Sequence, residues 1–418
     1  MRAKIRSVVI SSLFLLTIAF ATARNVIHTS FQAAANASCR LVGEHYFRAR
    51  EPRVLDWVKR CEKTAERESF LLDASAEVER INRRLDLLEV SHLTLYSPTE
   101  NRQIWENESL DTGLRARAID GRMLICDVVE GGSGEAEGIQ AGDIVLSVDQ
   151  REIHLPSEIQ SLGGRYEFER DGKKFVKEIM ARELTENLAP FLEAVALDRP
   201  RVGLLRIPSF LAPYFEQQNW QELAGRLNQY SSLIIDLRGN VGGSFPAMLR
   251  ALSPFRCDTP KIGTLYHANG KHRPAVLPDD LDANLQLSQL GLSDEVELRV
   301  FKNYGCYHGD VTVLIDHDTS SVAEIFTNAF FTRAHSRVWG QPSAGQVVMA
   351  QWFPISALGG DDYSLSIPIA GYRSLDGTEL ENQALQPQRL LNYDLKRAKA
   401  GRDSWLEDAI NQRETSTD

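Results

Sequence analysis

The sequence has 418 residues, 43% hydrophobic and 25% charged, a composition that indicates a folded chain and excludes an intrinsically disordered one. Its 47 Lys and Arg residues and 57 Asp and Glu residues give a net charge of −10, and no basic run stands out, so nucleic acid is not expected as a partner. The length allows about two or three domains with a substantial core.

The N-terminus, residues 1–23, has the three parts of a signal peptide. Three positive charges lie within Met1–Arg6, an apolar run covers Ser7–Phe20, and Ala21-Thr-Ala23 matches a small-x-small cleavage site. The apolar run is shorter than the roughly 20 residues of a membrane span, which favours cleavage after Ala23 over an uncleaved anchor. No other segment looks transmembrane. We therefore expect an exported protein, periplasmic or extracellular.

Five cysteines follow this segment. Export permits disulfides; a Cys39–Cys61 pair would staple the N-terminal region, and a Cys257–Cys306 pair would close a loop in the C-terminal half. Cys126 is then left over as a buried thiol within an apolar run. None has CxxC or zinc-ligand spacing, so the sequence implies no metal and no organic cofactor.

A helical N-terminal segment is predicted from residue 24 to residue 110. Apolar side chains recur there at three- and four-residue steps with charges between them, which is the spacing of an amphipathic helix. These residues are Leu71, Leu72, Val78, Ile81, Leu85 and Leu88.

A different pattern begins near residue 111 and continues to residue 185. A strand-like run, Met123–Val129, leads into a glycine-rich stretch and then into a Gly-Asp turn before a second apolar strand, Ile144–Val148. This order of strand, glycine-rich turn, short helix and strand resembles a PDZ domain.

The PDZ resemblance implies a peptide-binding role. It points to Gly113, Leu114 and Arg115 as the loop that binds a terminal carboxylate. A peptide would add to the sheet as an edge strand, with its carboxylate held by backbone N–H groups.

Strands and helices alternate from residue 186 to residue 395, which predicts an α/β catalytic domain; residues 396–418 would form a C-terminal helix and tail. The predicted fold class is therefore α/β (α+β) and multidomain, with a helical N-terminal segment and a β-rich PDZ-like domain. The predicted elements are strands at Val202–Ile207, Leu233–Leu237, Val311–Ile315, near Val338, Val347–Phe353 and Tyr363–Ile369, and helices at Gln218–Tyr230, Phe245–Leu252 and Val322–Thr332.

Two strand-turn-helix units in this domain carry the chemistry. The first, Ser232–Ser244, contains three glycines that free the backbone to turn and to present N–H groups. The second, Val311–Ile325, places Ser321 where the turn enters a helix. Ser321 and Glu324 read most simply as a capping box, but a serine at a helix N-terminus can also act as a nucleophile, since the helix dipole and the N–H of the next residue face the developing oxyanion.

Together the two units resemble the tail-specific (C-terminal processing) serine peptidase family, over about residues 87–387. The resemblance rests on Ile235-Asp-Leu-Arg-Gly-Asn-Val-Gly-Gly243 and Ser320-Ser-Val-Ala-Glu-Ile325 downstream of a PDZ-like segment. It implies that Ser321 is the nucleophile and that the N–H groups of Gly243 and Val322 form the oxyanion hole.

The usual Ser–Lys dyad of that family is not present. The position that matches the lysine is Gln346, and a neutral amide cannot take a proton from serine. Histidine is the expected alternative because its pKa suits a base near neutrality. His317 and His308 are possible bases that only position in space can decide.

His92 fits the role better because its surroundings resemble the Ser/His branch of the same superfamily, that of the tricorn core protease. Ser91 precedes it, and Glu381 lies in a segment that follows the family ending, Asp376–Pro387. The resemblance implies that His92 is the general base and that Ser91 and Glu381 orient it.

The sequence thus predicts an exported serine endopeptidase acting on protein or peptide substrates through an acyl-enzyme. Two alternatives from other classes remain: a catalytically inactive homologue that holds peptides, which Gln346 would favour, and a binder of small apolar ligands. The oligomeric state, the substrate and whether the PDZ-like domain activates or blocks the site are left open.

Overall fold

The computed structural model describes residues 30–65, 73–105, 109–153, 156–184, 187–195, 201–267, 274–275, 293–300, 304–358 and 362–411. The predicted signal peptide and the pair Leu71–Leu72 lie outside these ranges. No helix among the described residues is long and apolar enough to cross a membrane.

The helices are α1 (30–45), α2 (Pro52–Ala65), α3 (Ala74–Leu85), α4 (Pro98–Trp105), α5 (Ser133–Ala136), α6 (Pro156–Ser161), α7 (Gln217–Gly225), α8 (Phe245–Arg256), α9 (Val322–Phe331), α10 (Leu395–Lys399) and α11 (Ser404–Asn411). Short 3₁₀ turns occur at Asp86–Leu88, Ala212–Phe215, Leu227–Gln229 and Ser356–Leu358.

The strands are β1 (Thr94–Tyr96), β2 (Ser109–Asp111), β3 (Leu114–Ile119), β4 (Arg122–Val128), β5 (Ile144–Val148), β6 (Gly164–Arg170), β7 (Lys173–Ile179), β8 (Arg182–Leu184), β9 (Phe191–Ala194), β10 (Val202–Arg206), β11 (Ser232–Asp236), β12 (Lys261–Tyr266), β13 (Pro274–Ala275), β14 (Glu295–Arg299), β15 (Asp310–Ile315), β16 (Ser336–Gly340), β17 (Val348–Pro354), β18 (Ser364–Arg373) and β19 (Arg389–Leu390).

The N-terminal helices pack onto a sheet rather than standing apart. A Cys39–Cys61 disulfide, one of the two pairs that the sequence suggested, joins α1 to α2. The helices share one buried cluster with Leu365 and Ile367 of β18. Strand β1 pairs antiparallel with β18 in register Thr94↔Ser366. Since β1 begins two residues after His92, this pairing fixes where the histidine sits.

The PDZ-like domain is an antiparallel sheet with the order β3-β4-β5-β6-β7. Alternate side chains of these strands fill its own core, among them Ile125, Tyr166 and Phe168. Strands β2 and β8 pair antiparallel as a separate two-stranded ribbon. Strand β3 is one of the two edge strands of this sheet, and the short helix α6 lies beside it.

The α/β domain is built on a second sheet with the order β19-β16-β15-β11-β10-β9. All neighbours in this sheet are parallel except β9, which runs antiparallel to β10. Strand β11 is buried at every position, as expected for a parallel strand covered on both faces. Because β11 and β15 are parallel neighbours, the turns at their carboxyl ends lie side by side.

The C-terminal segment packs on one face of this sheet. Trp405 of α11 is fully buried against Ile234 and Leu314. The same segment also contacts the PDZ-like domain. The Arg117 guanidinium of that domain lies 4.6 Å from the centre of the Tyr393 ring.

Most predicted elements are present within a residue or two of their expected bounds. The main difference is the expected helix Gln218–Tyr230, which ends at Gly225 and continues as the 3₁₀ turn Leu227–Gln229. The second expected disulfide, Cys257–Cys306, is formed. Cys126 is free and half-buried, and its thiol donates to the Arg115 carbonyl oxygen at 3.1 Å.

Candidate active site

The glycine-rich turn after β11 is held by polar side chains that themselves are buried. Asn240 is fully buried; its Oδ1 accepts from the Gly242 N–H at 2.8 Å, and its Nδ2 donates to the Ile207 carbonyl at 2.8 Å. The Asn240 carbonyl accepts from the Ser320 N–H at 3.0 Å. Asp316 Oδ1 accepts from the Gly239 N–H at 2.9 Å. These hydrogen bonds hold the two turns together as one unit.

Ser321 lies at the junction of this unit with α9. Its φ of 59° is a left-handed value that non-glycine residues rarely adopt, which marks a strained turn of the kind found at functional sites. Glu324 Oε2 accepts from the Ser321 N–H at 3.2 Å, so the predicted reach of Glu324 back to the helix start is confirmed. Gly242 faces the serine, since a Cβ added there would lie 2.7 Å from the Ser321 Cβ.

The two predicted oxyanion donors, Gly243 and Val322, directly follow Gly242 and Ser321, which face each other. Gly243 has φ 138°, and a Cβ there would lie 2.6 Å from the Phe210 carbonyl carbon, so only glycine fits beside the backbone of Phe210. Val322 is the first residue of α9, and its N–H has no acceptor within the helix. Their role as an oxyanion hole stays a prediction.

His92, Ser91 and Glu381 are brought together. The Ser91 Oγ is 2.8 Å from His92 Nδ1 and donates to Glu381 Oε2 at 3.0 Å, while the Ser91 N–H donates to Oε1 at 2.7 Å. A serine hydroxyl has one proton, and here it goes to the carboxylate. Nδ1 must therefore carry the ring proton and donate to Ser91, which leaves the lone pair on Nε2.

The His92 ring is held neutral as well as oriented. Burial disfavours the charged imidazolium and lowers the pKa of His92 to about 4. At neutral pH the ring is therefore uncharged.

The strap Ser343–Val347 joins the serine network to the histidine network. Glu324 accepts from the N–H groups of Gly345 at 2.9 Å and Gln346 at 2.8 Å, and Glu381 Oε2 accepts from the next one, Val347, at 2.8 Å. Two carboxylates thus bind consecutive backbone donors. The sequence did not predict this strap, because its donors are main-chain groups without a residue signature.

Glu324 does more than cap the helix. It is fully buried, and besides Ser321, Gly345 and Gln346 it accepts from the Ser343 hydroxyl at 2.5 Å. Burial raises its pKa despite these four donors. The Gln346 side chain is exposed, and this residue serves the network through its backbone.

Within the described ranges, no hydrogen bond joins the Ser321 hydroxyl to an imidazole. The other histidines are placed less well. His308 precedes β15 whereas Ser321 follows it, so they lie at opposite ends of one strand, and His308 is 70% exposed. His317 is exposed.

Arg238 braces the glycine turn from beneath. Its guanidinium bonds both oxygens of Asp236 and both of Asp403, all at 2.7 to 3.1 Å. Burial opposes ionisation of Asp236, but the guanidinium outweighs it and lowers the pKa of Asp236 to about 2. One of these two carboxylates, Asp403, is contributed by the C-terminal segment.

The predicted carboxylate-binding loop of the PDZ domain already has internal partners. The Gly113 N–H donates to Asp111 Oδ1 at 2.7 Å, and the Leu114 N–H donates to the Thr112 hydroxyl at 3.1 Å. The Arg115 guanidinium is 2.9 Å from the same Asp111 oxygen. The binding role of these residues stays a prediction.

Comparison with known families agrees with this architecture. Residues 201–390 match the model for peptidase family S41, and residues 104–160 match the model for the PDZ domain. The predicted resemblance and the predicted fold class are confirmed.

Curated relatives match part of the chain. A nisin-resistance protein of Lactococcus lactis subsp. lactis is 27% identical over 196 residues, covering 46% of this chain and 55% of the relative. Carboxyl-terminal-processing peptidase 2, chloroplastic, of Arabidopsis thaliana is 19% identical over 297 residues, covering 64% of this chain and 50% of the relative. The chain thus spans about half the length of the curated relatives it matches.

Solved structures share the fold over most of the chain. Mature CPAF complexed with lactacystin has a TM-score of 0.63 at 13% identity, covering 93% of this chain and 98% of that one. The photosystem II D1 C-terminal processing protease has a TM-score of 0.53 at 16% identity, covering 90% and 98%. At this identity the likeness concerns the fold.

Proposed function

We propose that this chain, whose residues 201–390 match the model for peptidase family S41, is an exported serine endopeptidase with a Ser/His mechanism. The observation that carries the proposal is the relay of hydrogen bonds from Glu381 through Ser91 to His92, and its link through the strap Ser343–Val347 to the Ser321 turn.

The reaction uses the proposed groups in order. Ser321 Oγ attacks the carbonyl carbon of the scissile amide while His92 Nε2 takes its proton. The N–H groups of Gly243 and Val322 stabilise the oxyanion of the tetrahedral intermediate. His92 then gives its proton to the leaving amine, which yields the acyl-enzyme. Water then attacks the ester carbon while His92 Nε2 takes its proton, and His92 gives that proton to Ser321 Oγ as the acyl group leaves.

Ser91 and Glu381 act on the imidazole. The carboxylate fixes Ser91, and Ser91 fixes the Nδ1–H tautomer that presents Nε2 to the nucleophile. When His92 becomes positive, Glu381 lies one hydroxyl away and favours the charged form. The missing Ser321–His92 hydrogen bond is compatible with this role, because catalytic hydrogen bonds are often long before substrate binds.

The PDZ domain is proposed to recognise substrate C-termini, with Gly113, Leu114 and Arg115 at its carboxylate loop and β3 as the edge to which a peptide adds. The substrates are then proteins or peptides with an accessible end. Export is supported by the sequence of residues 1–23.

Cleavage of an unfolded protein such as reduced casein tests the proposal. We expect Ser321→Ala and His92→Ala to lower kcat/KM by at least about 10³-fold. Gln346→Ala should stay near the parent, because the exposed side chain is removed while the backbone N–H to Glu324 remains.

Loss of activity in the Gln346 variant equal to that of the Ser321 variant would contradict the Ser/His mechanism. A folded parent that cleaves nothing but binds peptides would favour the alternative, an inactive homologue that holds peptides.

A further inference from the structure

The carboxylate loop of the PDZ domain contains a carboxylate from the chain itself. Asp111 is 2% exposed, and its Oδ1 accepts from the Gly113 N–H at 2.7 Å and from the Arg115 guanidinium at 2.9 Å. Its Oδ2 accepts from the Gln160 amide at 2.9 Å. A backbone N–H and an arginine are the groups that a peptide's terminal carboxylate would need.

The helix beside the loop is fastened to it. The Thr112 N–H donates to the Gln160 carbonyl at 2.9 Å, and the Thr112 hydroxyl donates to the Ile159 carbonyl at 2.8 Å. Thr112 and Leu114 are fully buried. The end of α6 is therefore fastened directly to the loop that holds Asp111.

We propose that Asp111 is an internal stand-in for a substrate's C-terminal carboxylate, and that a peptide with a free C-terminus binds by displacing it. The proposal rests on the proposed peptide recognition by the PDZ domain. Displacement frees the Gly113 N–H and Arg115 for the incoming carboxylate and loosens the Gln160 amide, so α6 can move away from the edge strand β3.

Charge explains why this exchange selects a free C-terminus. Arg115 is half-buried, and leaving a partly buried cation without an anion is costly. An incoming carboxylate replaces Asp111 with no change in the charge count at the loop. A C-terminal amide offers no negative charge and cannot make the exchange.

The test is peptide binding by full-length protein in a Ser321→Ala background, which prevents cleavage. The probe is fluorescein-labelled Gly-Ser-Ala-Leu-Val as the free acid and as the C-terminal amide, followed by fluorescence anisotropy. Asp111→Asn keeps the shape of the side chain and removes its charge. We call the contacts of Asp111 with Gly113, Arg115 and Gln160 the latch. Gln160→Ala removes one hydrogen bond of this latch. Asp171→Asn makes the same charge change in the β6–β7 turn, far from β3.

We expect Asp111→Asn to tighten binding of the acid by about tenfold or more, since only the charged competitor is lost. Gln160→Ala should give a smaller gain in the same direction. Asp171→Asn should change nothing, and the amide should stay weak throughout.

Equal binding of acid and amide, or no gain for the acid in either latch variant, would overturn the proposal. If Asp111→Asn unfolds the domain, Gln160→Ala decides alone. Casein cleavage by the enzyme with Ser321 intact is measured separately. Cleavage without acid-selective peptide binding would overturn the latch only. Tighter binding of the acid in the latch variants without casein cleavage would support the latch and refute the peptidase.

Discussion

At the scale of single residues, the surroundings of each ionisable side chain set the direction in which its pKa shifts. Asp236 faces a guanidinium, which lowers its pKa to about 2, whereas Glu324 has hydroxyl and backbone donors only and its pKa is raised by burial. His92 is the third case, since burial shifts it toward the neutral form that a base requires.

The first prediction is a pH profile for His92. A pKa lowered to about 4 means that the neutral ring persists as pH falls below 6.5 and is protonated only near pH 4. We therefore expect kcat/KM to be nearly constant from pH 7 to pH 5.5 and half-maximal near pH 4. Steady-state kinetics with circular dichroism at each pH, to show that the chain stays folded, makes the check. A half-maximum near 6.5 would mean that burial does not set the basicity.

At the scale of elements, two parallel neighbours create the site. The carboxyl ends of β11 and β15 put one turn against the other, and Gly242 lies in close contact with Ser321. A side chain at this position would have to share space with Ser321 and would also need a φ of 103°.

The second prediction compares two glycine substitutions. Gly242→Ala should displace Ser321 and lower its rate of labelling by a fluorophosphonate by about 10²-fold, the effect of a misplacement of roughly 1 Å. Gly225→Ala, in α7, has no heavy atom within 4 Å of the added Cβ and should label normally. Normal labelling of both variants would show that the close approach is not needed.

At the scale of the whole molecule, an aromatic column connects the PDZ domain to the glycine turn. Arg117 lies over Tyr393, the Tyr393 ring stacks on Trp405 at 4.3 Å, and the Arg238 guanidinium is 5.7 Å from the Trp405 ring. The C-terminal segment thus holds two domains together.

The third prediction concerns Tyr393 in this column. Tyr393→Ala should remove the platform for Arg117, so that the PDZ domain unfolds in a separate, earlier transition in scanning calorimetry. Tyr393→Phe is the matched control, because the Tyr393 hydroxyl is buried without a hydrogen-bond partner in the described chain and its loss should cost little. Identical profiles for the two variants would contradict the role of the column.

Local pattern alone determined much of this protein. The apolar runs and glycine positions predicted the strands and turns around Ser321 within a residue or two, because strand periodicity and turn chemistry are short-range properties. The order of motifs predicted the family and the PDZ domain. The approach of Glu381 to Ser91 and His92 was inferred from resemblance only, since Glu381 is 290 positions from Ser91.

Only the tertiary structure decided which groups share a proton or a charge. The pairing of β1 with β18 brings His92 to Glu381, the strap Ser343–Val347 connects two carboxylates, and Asp403 reaches Arg238 from the C-terminal segment. The Gln160 amide likewise reaches Asp111 from a position 49 residues away. Backbone donors and long-range ion pairs depend on distances in space, and sequence spacing does not encode those distances.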